Sequence, residues 1–130
     1  MSAGDVTKVP SGGKQFDFEI TCVHGYQTTL YIGDCKGRVR SLTSAGTLAD
    51  LTTLIDVNEK IVAIQYVSSS LIFVTDKGKI YTCGTNGSSL TLLKDLVAAV
   101  RTAYYYNNYL YVILDAVEPR TSMFVKVATA

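Results

Sequence analysis

Between Ile61 and Gly87, short apolar runs alternate with turn residues at a spacing typical of β-strands. The runs IVAIQYV, LIFVT and KIYTC are rich in Val, Ile, Tyr and Phe; SSS and DKG separate them, and GTNG follows. β-Branched and aromatic residues bounded by Ser, Asp, Asn or Gly favour strands joined by tight turns. The segment therefore predicts three short strands connected as hairpins.

This pattern occurs three times along the chain. A shift of 41 residues places the first copy on the second, and a further shift of 39 places the second on the third. The first strands then coincide at Ile20, Ile61 and Val100, and the second strands coincide at Leu30, Leu71 and Leu110. Self-similarity at a fixed period of about 40 residues indicates a repeat architecture.

Four strands in a repeat of about 40 residues form the blade of a β-propeller. We therefore predict an all-β protein with three propeller-like blades of antiparallel strands, at residues 16–56, 57–97 and 98–130 of one domain, after a flexible lead-in at 1–15. In the third copy AVEPRTSM follows Asp115 and precedes the strand FVKVATA. Because Pro119 cannot lie inside a central strand, we expect a longer loop there and no fourth strand in that blade.

Two other folds stay open at this stage. Apolar residues with helical spacing, Leu92, Leu93, Leu96, Val97, Val100 and Tyr104, would give an α+β protein with a helix near 88–104. The strands could also close into a small β-barrel. The unbroken repeat favours the blades, because a helix through Val100 would interrupt the match with Ile20 and Ile61.

The predicted turns have particular backbone requirements. Gly37 and Gly78 close equivalent turns after the second strands, where we expect a positive φ that penalises a side chain. Asn107 and Asn108 suit a two-residue hairpin turn, because Asn tolerates positive φ.

The aromatic and glycine positions of the repeat resemble a known family. FEITCVHGYQTTLYIGDCKGRVRSL is similar to the blade of the looser WD40-like propellers, and most similar to citron-homology-type propellers. The matching positions are Leu30, Tyr31, Ile32, Gly33, Gly37 and Val39, repeated at Leu71, Phe73, Gly78 and Ile80. The resemblance covers about residues 16 to 127, without the Gly-His and Trp-Asp dipeptides of standard WD40 blades. It implies a platform that binds partners on loops or along a rim.

Composition and charge restrict the classes of partner. The chain of 130 residues is 48% apolar and 18% charged, with a net charge of +1, so clustered Lys and Arg for nucleic acid are lacking. No apolar run approaches the roughly 18 residues of a membrane span, and no secretory signal is visible. We expect a cytoplasmic protein with neither a nucleic-acid partner nor a membrane span.

Few residues suggest catalysis or metal binding. Cys22, Cys35 and Cys83 form no CxxC motif, and His24 is the only histidine, so we expect small buried or half-buried thiols and no metal or cofactor. We expect His24 to be a surface residue near a turn. The recurring Asp34, Asp76 and Asp115 fit turn formation better than a ring of carboxylates for a cation. These features predict a protein that is not an enzyme.

Tyrosines are concentrated in the third copy. The candidate binding residues are Tyr104, Tyr105, Tyr106, Tyr109 and Tyr111, together with Arg101, the nearest cation. Strand alternation places Tyr104 and Tyr106 on one face and Tyr105 on the other. One face then presents phenol rings to solvent unless a partner covers it.

These observations predict a non-enzymatic interaction or scaffold module. The alternative is a lectin-like ligand binder that forms a small ring by self-association. Closed propellers have typically four to eight blades, so three blades leave the outer faces of the first and third uncovered. We expect the chain to bind another protein or itself, most simply as an even-numbered homo-oligomer through a face that includes Tyr105 and Tyr109.

Overall fold

The computed structural model describes Gly4 and residues 18–54, 58–115 and 123–129. These residues form eleven strands in three antiparallel sheets, and each sheet is built from strands consecutive in the chain. The predicted lead-in at 1–15 lies outside the described residues apart from Gly4, so that boundary stays a prediction.

The strands follow the three copies of the repeat. The first sheet contains β1 (Ile20–Tyr26), β2 (Thr29–Asp34), β3 (Arg38–Thr43) and β4 (Leu48–Thr53). The middle sheet contains β5 (Ile61–Val67), β6 (Ser70–Thr75), β7 (Lys79–Gly84) and β8 (Thr91–Asp95). The third sheet contains β9 (Val100–Tyr106), β10 (Tyr109–Leu114) and β11 (Met123–Ala128).

The prediction of an all-β protein of three blades is confirmed. The sheets are separate, so the alternative of a single closed barrel is wrong. The alternative helix near 88–104 is also wrong, since this segment contains β8 and most of β9. As predicted, the described part of the third sheet has three strands. Within the described ranges no helix is long and apolar enough to cross a membrane.

The first strand of each sheet packs on the first strand of the next, β1 on β5 and β5 on β9. We call the side of a sheet toward the following sheet its front face, and the opposite side its back face. The core between the first and middle sheets contains Tyr31, Val39, Leu54, Ile61, Ile64, Leu71, Phe73 and Cys83. The core between the middle and third sheets contains Ala63, Ile72, Val74, Ile80, Val100, Ala103, Leu110 and Val112. The middle sheet is therefore buried on both faces.

A β-bulge near the start of each first strand sets which side chains face forward. The pairing skips Thr21 in β1, Val62 in β5 and Arg101 in β9. The extra residue changes the alternation, so Ile61 contributes to the core on the back face of the middle sheet and Ala63 to the core on its front face. All three blades therefore share one assignment of faces.

The turns have the predicted backbone. Gly37 and Gly78 have φ of 74° and 93°, and Asn107 and Asn108 have φ of 51° and 73°. A Cβ on Gly78 would also collide with the carbonyl oxygen of Ala98. Both turns therefore depend on glycine for their conformation, and the turn at Gly78 depends on it for space as well.

Asp34 and Asp76 lie at nearly the same place in their blades, with an offset of one residue in the pairing register. Asp34 is the buried last residue of β2 and pairs with Ile20, as Thr75 pairs with Ile61. Its carboxylate accepts hydrogen bonds from the backbone N–H of Lys36 and Arg38 and from the Arg38 side chain, at 2.9 to 3.0 Å. Asp34 thus holds a turn, whereas Asp76 accepts a bond from the Lys60 N–H, 3.0 Å away.

Gly78→Ala and Gly46→Ala form a matched test of the turn argument. Both glycines have positive φ, 93° and 87°, but the space around a Cβ on Gly46 is empty to 4 Å. We expect Gly46→Ala to lower the free energy of unfolding by about 1 kcal/mol through backbone strain. Gly78→Ala should cost roughly 1–3 kcal/mol more, because the methyl group displaces the Ala98 peptide. Equal costs in urea denaturation would contradict the tight packing of this turn.

Candidate interaction surface

The front face of the third sheet carries five aromatic side chains. Tyr104 pairs with Tyr111 and Tyr106 pairs with Tyr109, which places all four on the same face, and Phe124 continues the row on β11. We call Tyr104, Tyr106, Tyr109, Tyr111 and Phe124 the aromatic surface. Tyr104, Tyr106 and Phe124 are 63%, 64% and 66% exposed. No other described sheet packs on this face.

The rings of the aromatic surface contact one another side by side. Tyr106 and Tyr111 have ring centroids 6.4 Å apart, and Phe124 meets Tyr111 edge to face at 5.7 Å. The ammonium of Lys126 lies 4.3 Å from the centroid of the Tyr109 ring, within cation–π range. The result is a broad aromatic surface with one charge near the edge of the sheet.

Two predicted site residues lie elsewhere. Tyr105 is on the back face, where it packs against the core shared with the middle sheet. Its backbone N–H donates to Oε1 of Gln65, 3.2 Å away. Arg101 is at the opposite end of β9 from the hairpin turn and pairs with Asp115 at 3.2 Å. The expectation that Tyr105 and Tyr109 share one contact face is therefore wrong, because neighbouring strand residues alternate between faces.

The aromatic surface occupies positions that are covered in the preceding blades. The pairing register makes Tyr106 equivalent to Tyr26 and Tyr111 equivalent to Tyr31. Tyr31 is buried against the middle sheet, and the Tyr26 ring stacks on Tyr66 of that sheet with centroids 3.6 Å apart. The front face of the third sheet is therefore exposed to solvent, whereas the equivalent face of the first sheet packs on the next blade.

The outer face of the first sheet is only partly open. Val23 on β1 is 56% exposed, whereas Ile32 and Leu42, on β2 and β3, are buried. The expectation that this outer face is uncovered therefore holds at Val23 and is wrong at Ile32 and Leu42.

A groove of about 390 Å³ lies between the middle and third sheets. Its described lining residues are Val67, Ser68, Ser70, Ile72, Thr82, Leu93, Tyr105, Asn108 and Thr129. They combine one aromatic ring with neutral hydroxyl and amide groups. The lining includes no Asp or Arg among these residues, so the groove suits neutral polar ligands better than charged ones.

The remaining chemical candidates are packed between sheets. His24 lies near the end of β1, opposite Tyr31, as expected, but it is half-buried and not a surface residue; burial lowers its pKa. Burial also raises the pKa of the Cys22 thiol to about 12, and raises the pKa of Cys83. As expected, the cysteines are free, two half-buried and one buried. The described residues contain no group of three His, Cys, Asp or Glu side chains that could hold a metal ion.

No family model and no curated protein matches the chain. Among solved structures, the computationally designed Ika4 protein is similar with a TM-score of 0.59 and 15% identity, over 92% of this chain and 71% of that one. The designed Ika8 protein gives 0.59 and 18%, over 85% of this chain and 34% of that one. The N-terminal domain of Nup159 gives 0.54 and 12%, over 83% and 29%. These are propeller folds.

The similarity establishes the fold. Three blades of this chain span about a third of the Ika8 chain and less than a third of the Nup159 domain. At these identities the comparison carries no function from those proteins to this one.

The pKa of His24 gives a test of the packing between β1 and the middle sheet. Unfolded His24 binds a proton near pH 6.5 and folded His24 binds it at lower pH, so the unfolded state is favoured progressively as pH falls through this window. We expect a titration midpoint below 6.5 by NMR, easily assigned because the chain has one histidine. His24→Gln introduces the residue that the middle sheet has at the equivalent position, Gln65. This variant should lose less free energy of unfolding than the wild type as the pH falls. A midpoint at or above 6.5 would contradict the buried position.

Proposed function

We propose that this chain is a non-enzymatic β-propeller-type module that binds another macromolecule through the aromatic surface. The observation that carries the proposal is the exposure of Tyr104, Tyr106 and Phe124 on the front face of the third sheet. Large adjoining apolar surfaces on soluble domains mark interaction sites. Tyrosine is enriched in such sites because it buries much area at low entropic cost.

The chemistry of this surface favours a protein partner. Its rings lie side by side on a sheet, and the described residues on it include one cation, Lys126, and no carboxylate. A nucleic acid would require several phosphate contacts from Lys or Arg. A protein partner requires aromatic area with a polar margin, which this face provides.

We propose no enzymatic reaction because the potentially reactive side chains are packed within the fold. His24 faces the middle sheet, and the Cys22 thiol stays protonated because its pKa is raised to about 12. Asp34 is buried and hydrogen-bonded to its own turn. These groups support the structure. The free thiols of Cys22, Cys35 and Cys83 also favour a reducing compartment, and we propose the cytoplasm.

A lectin-like function is the second candidate. The groove between the middle and third sheets offers the Tyr105 ring beside Ser70, Thr82 and Asn108, a combination that suits a sugar. The groove has no Asp or Arg among its described lining residues to bind hydroxyl groups strongly. We therefore rank this candidate below the protein-binding module.

Site-specific photo-crosslinking tests the proposed function. A benzophenone amino acid at Tyr104 should give protein adducts when the protein is expressed in cells, and the same group at Val97 should not. Val97 is the matched control because it is 85% exposed in the loop before β9, away from the aromatic surface. Adducts at Tyr104 should disappear on Phe124→Lys. Equal labelling at both positions would contradict the proposal, and binding on a glycan array lost in Asn108→Ala would favour the lectin.

A further inference from the structure

We infer that the aromatic surface is covered by a second copy of this chain, whose β1 packs on β9 so that two chains close a six-bladed ring. The inference rests on the proposed function and names its partner. Inside the chain, β5 packs on β1 and β9 packs on β5. The partner's β1 would pack on β9 in the same way.

The front side of β9 has the residues that such a contact uses. Thr102, Tyr104 and Tyr106 are equivalent to Cys22, His24 and Tyr26, whose strand packs on β5. In β9 all three positions are exposed to solvent. Within the described ranges, no strand follows β9 in the way that β5 follows β1 and β9 follows β5.

The back side of β1 is the matching partner. Val23 is equivalent to Ile64 and Ala103, which are buried against the preceding sheets. In β1 the corresponding Val23 is exposed, and so is Gly25. Each chain thus exposes one front side of an inner strand and one back side of an inner strand, and inner strands meet through these two sides inside the chain. Farther from the inner strand, the back face of the first sheet is already buried at Ile32 and Leu42.

The shapes of the two surfaces are also complementary. Tyr66 in β5 and Tyr105 in β9 occupy the position of Gly25 in β1. Because Gly25 has no side chain, a notch of about 290 Å³ opens there, lined partly by Leu30 and Leu42. Tyr106 of the second copy would enter this notch, at the position that Tyr26 has over the Tyr66 ring. The exposed Tyr106 ring and the missing side chain at Gly25 are therefore at positions that face each other in the equivalent contact inside the chain.

Ring closure fixes the number of chains. Closed propellers have typically four to eight blades. With three blades in each chain, two copies give six and three copies would exceed the range. The two-fold axis then coincides with the propeller axis, and each chain uses β9 once and β1 once. A dimer with two aromatic surfaces face to face would leave β1 outside the contact.

Sedimentation velocity of the purified chain at micromolar concentration tests the inference. We expect twice the chain mass of 14.1 kDa. Gly25→Asp should place an unpaired carboxylate against Tyr106 of the second copy and raise the dissociation constant at least about 100-fold, as expected for a central interface residue. The variant should stay folded, because a Cβ on Gly25 meets only Leu30, at 3.9 Å. Tyr106→Lys should have the same effect from the other side, and Val97→Asn should have none.

Mixing the variants identifies the head-to-tail geometry. A mixture of Gly25→Asp and Tyr106→Lys chains should recover a heterodimer, because one of its two contacts joins unmodified β9 to unmodified β1. A dimer that Gly25→Asp leaves intact would overturn the inference, whatever Tyr106→Lys does. A folded wild-type monomer would also overturn it. If that monomer still gives Tyr104 adducts with a different protein, the proposed function stands and the self-association fails.

Discussion

Side chains packed on both faces of the middle sheet are the interaction on which the rest of the structure depends. Ile61 and Ile64 project backward into one core, and Ala63 and Val74 project forward into the other. Apolar area removed from water is worth about 25 cal/mol per Å², so a sheet buried on both sides is the most stable position in the stack. The first and third sheets are each anchored to it by one face. The proposed partner would contact their other faces.

The blades keep their geometry while the polar groups in the turns change. Asp34 holds the turn after β2 through the Lys36 and Arg38 backbone, and Thr75 performs the same role after β6 by accepting the Lys79 N–H at 3.2 Å. The buried Glu59 accepts a hydrogen bond from the Thr75 hydroxyl at 3.1 Å. A buried acceptor is needed at this place because the turn leaves N–H groups without strand partners. Its identity can therefore vary between blades.

The sequence was sufficient to predict the strands, because each blade repeats local patterns. Ile20, Ile61 and Val100 begin the first strands as the repeat predicts, and this register correctly excluded a helix through Val100. Alternation also placed Tyr104 and Tyr106 on one face. These features depend on neighbouring residues and on the period of the repeat.

The remaining features depend on contacts between sheets, which the sequence does not display. The bulges at Thr21 and Arg101 decide which face points forward, and no residue type marks them. The Tyr105 side chain packs against the core between the middle and third sheets, and its backbone N–H donates to Gln65, 40 residues away. The partial burial of the first sheet's outer face, at Ile32, was not predictable from an alternating pattern either. The equivalence of the aromatic surface with the covered faces of the other blades becomes visible only when the strand-pairing registers of the three sheets are compared.

The dependence of unfolding on chain concentration tests most directly whether that face is an inter-blade contact. If a second copy covers it, folding is coupled to association, and each tenfold rise in concentration adds about 1.4 kcal/mol to the free energy of unfolding per dimer. We predict that the midpoint of urea denaturation rises steadily across a concentration range of about 100-fold. A midpoint that stays constant across this range, with the native sheet content retained, would contradict the account.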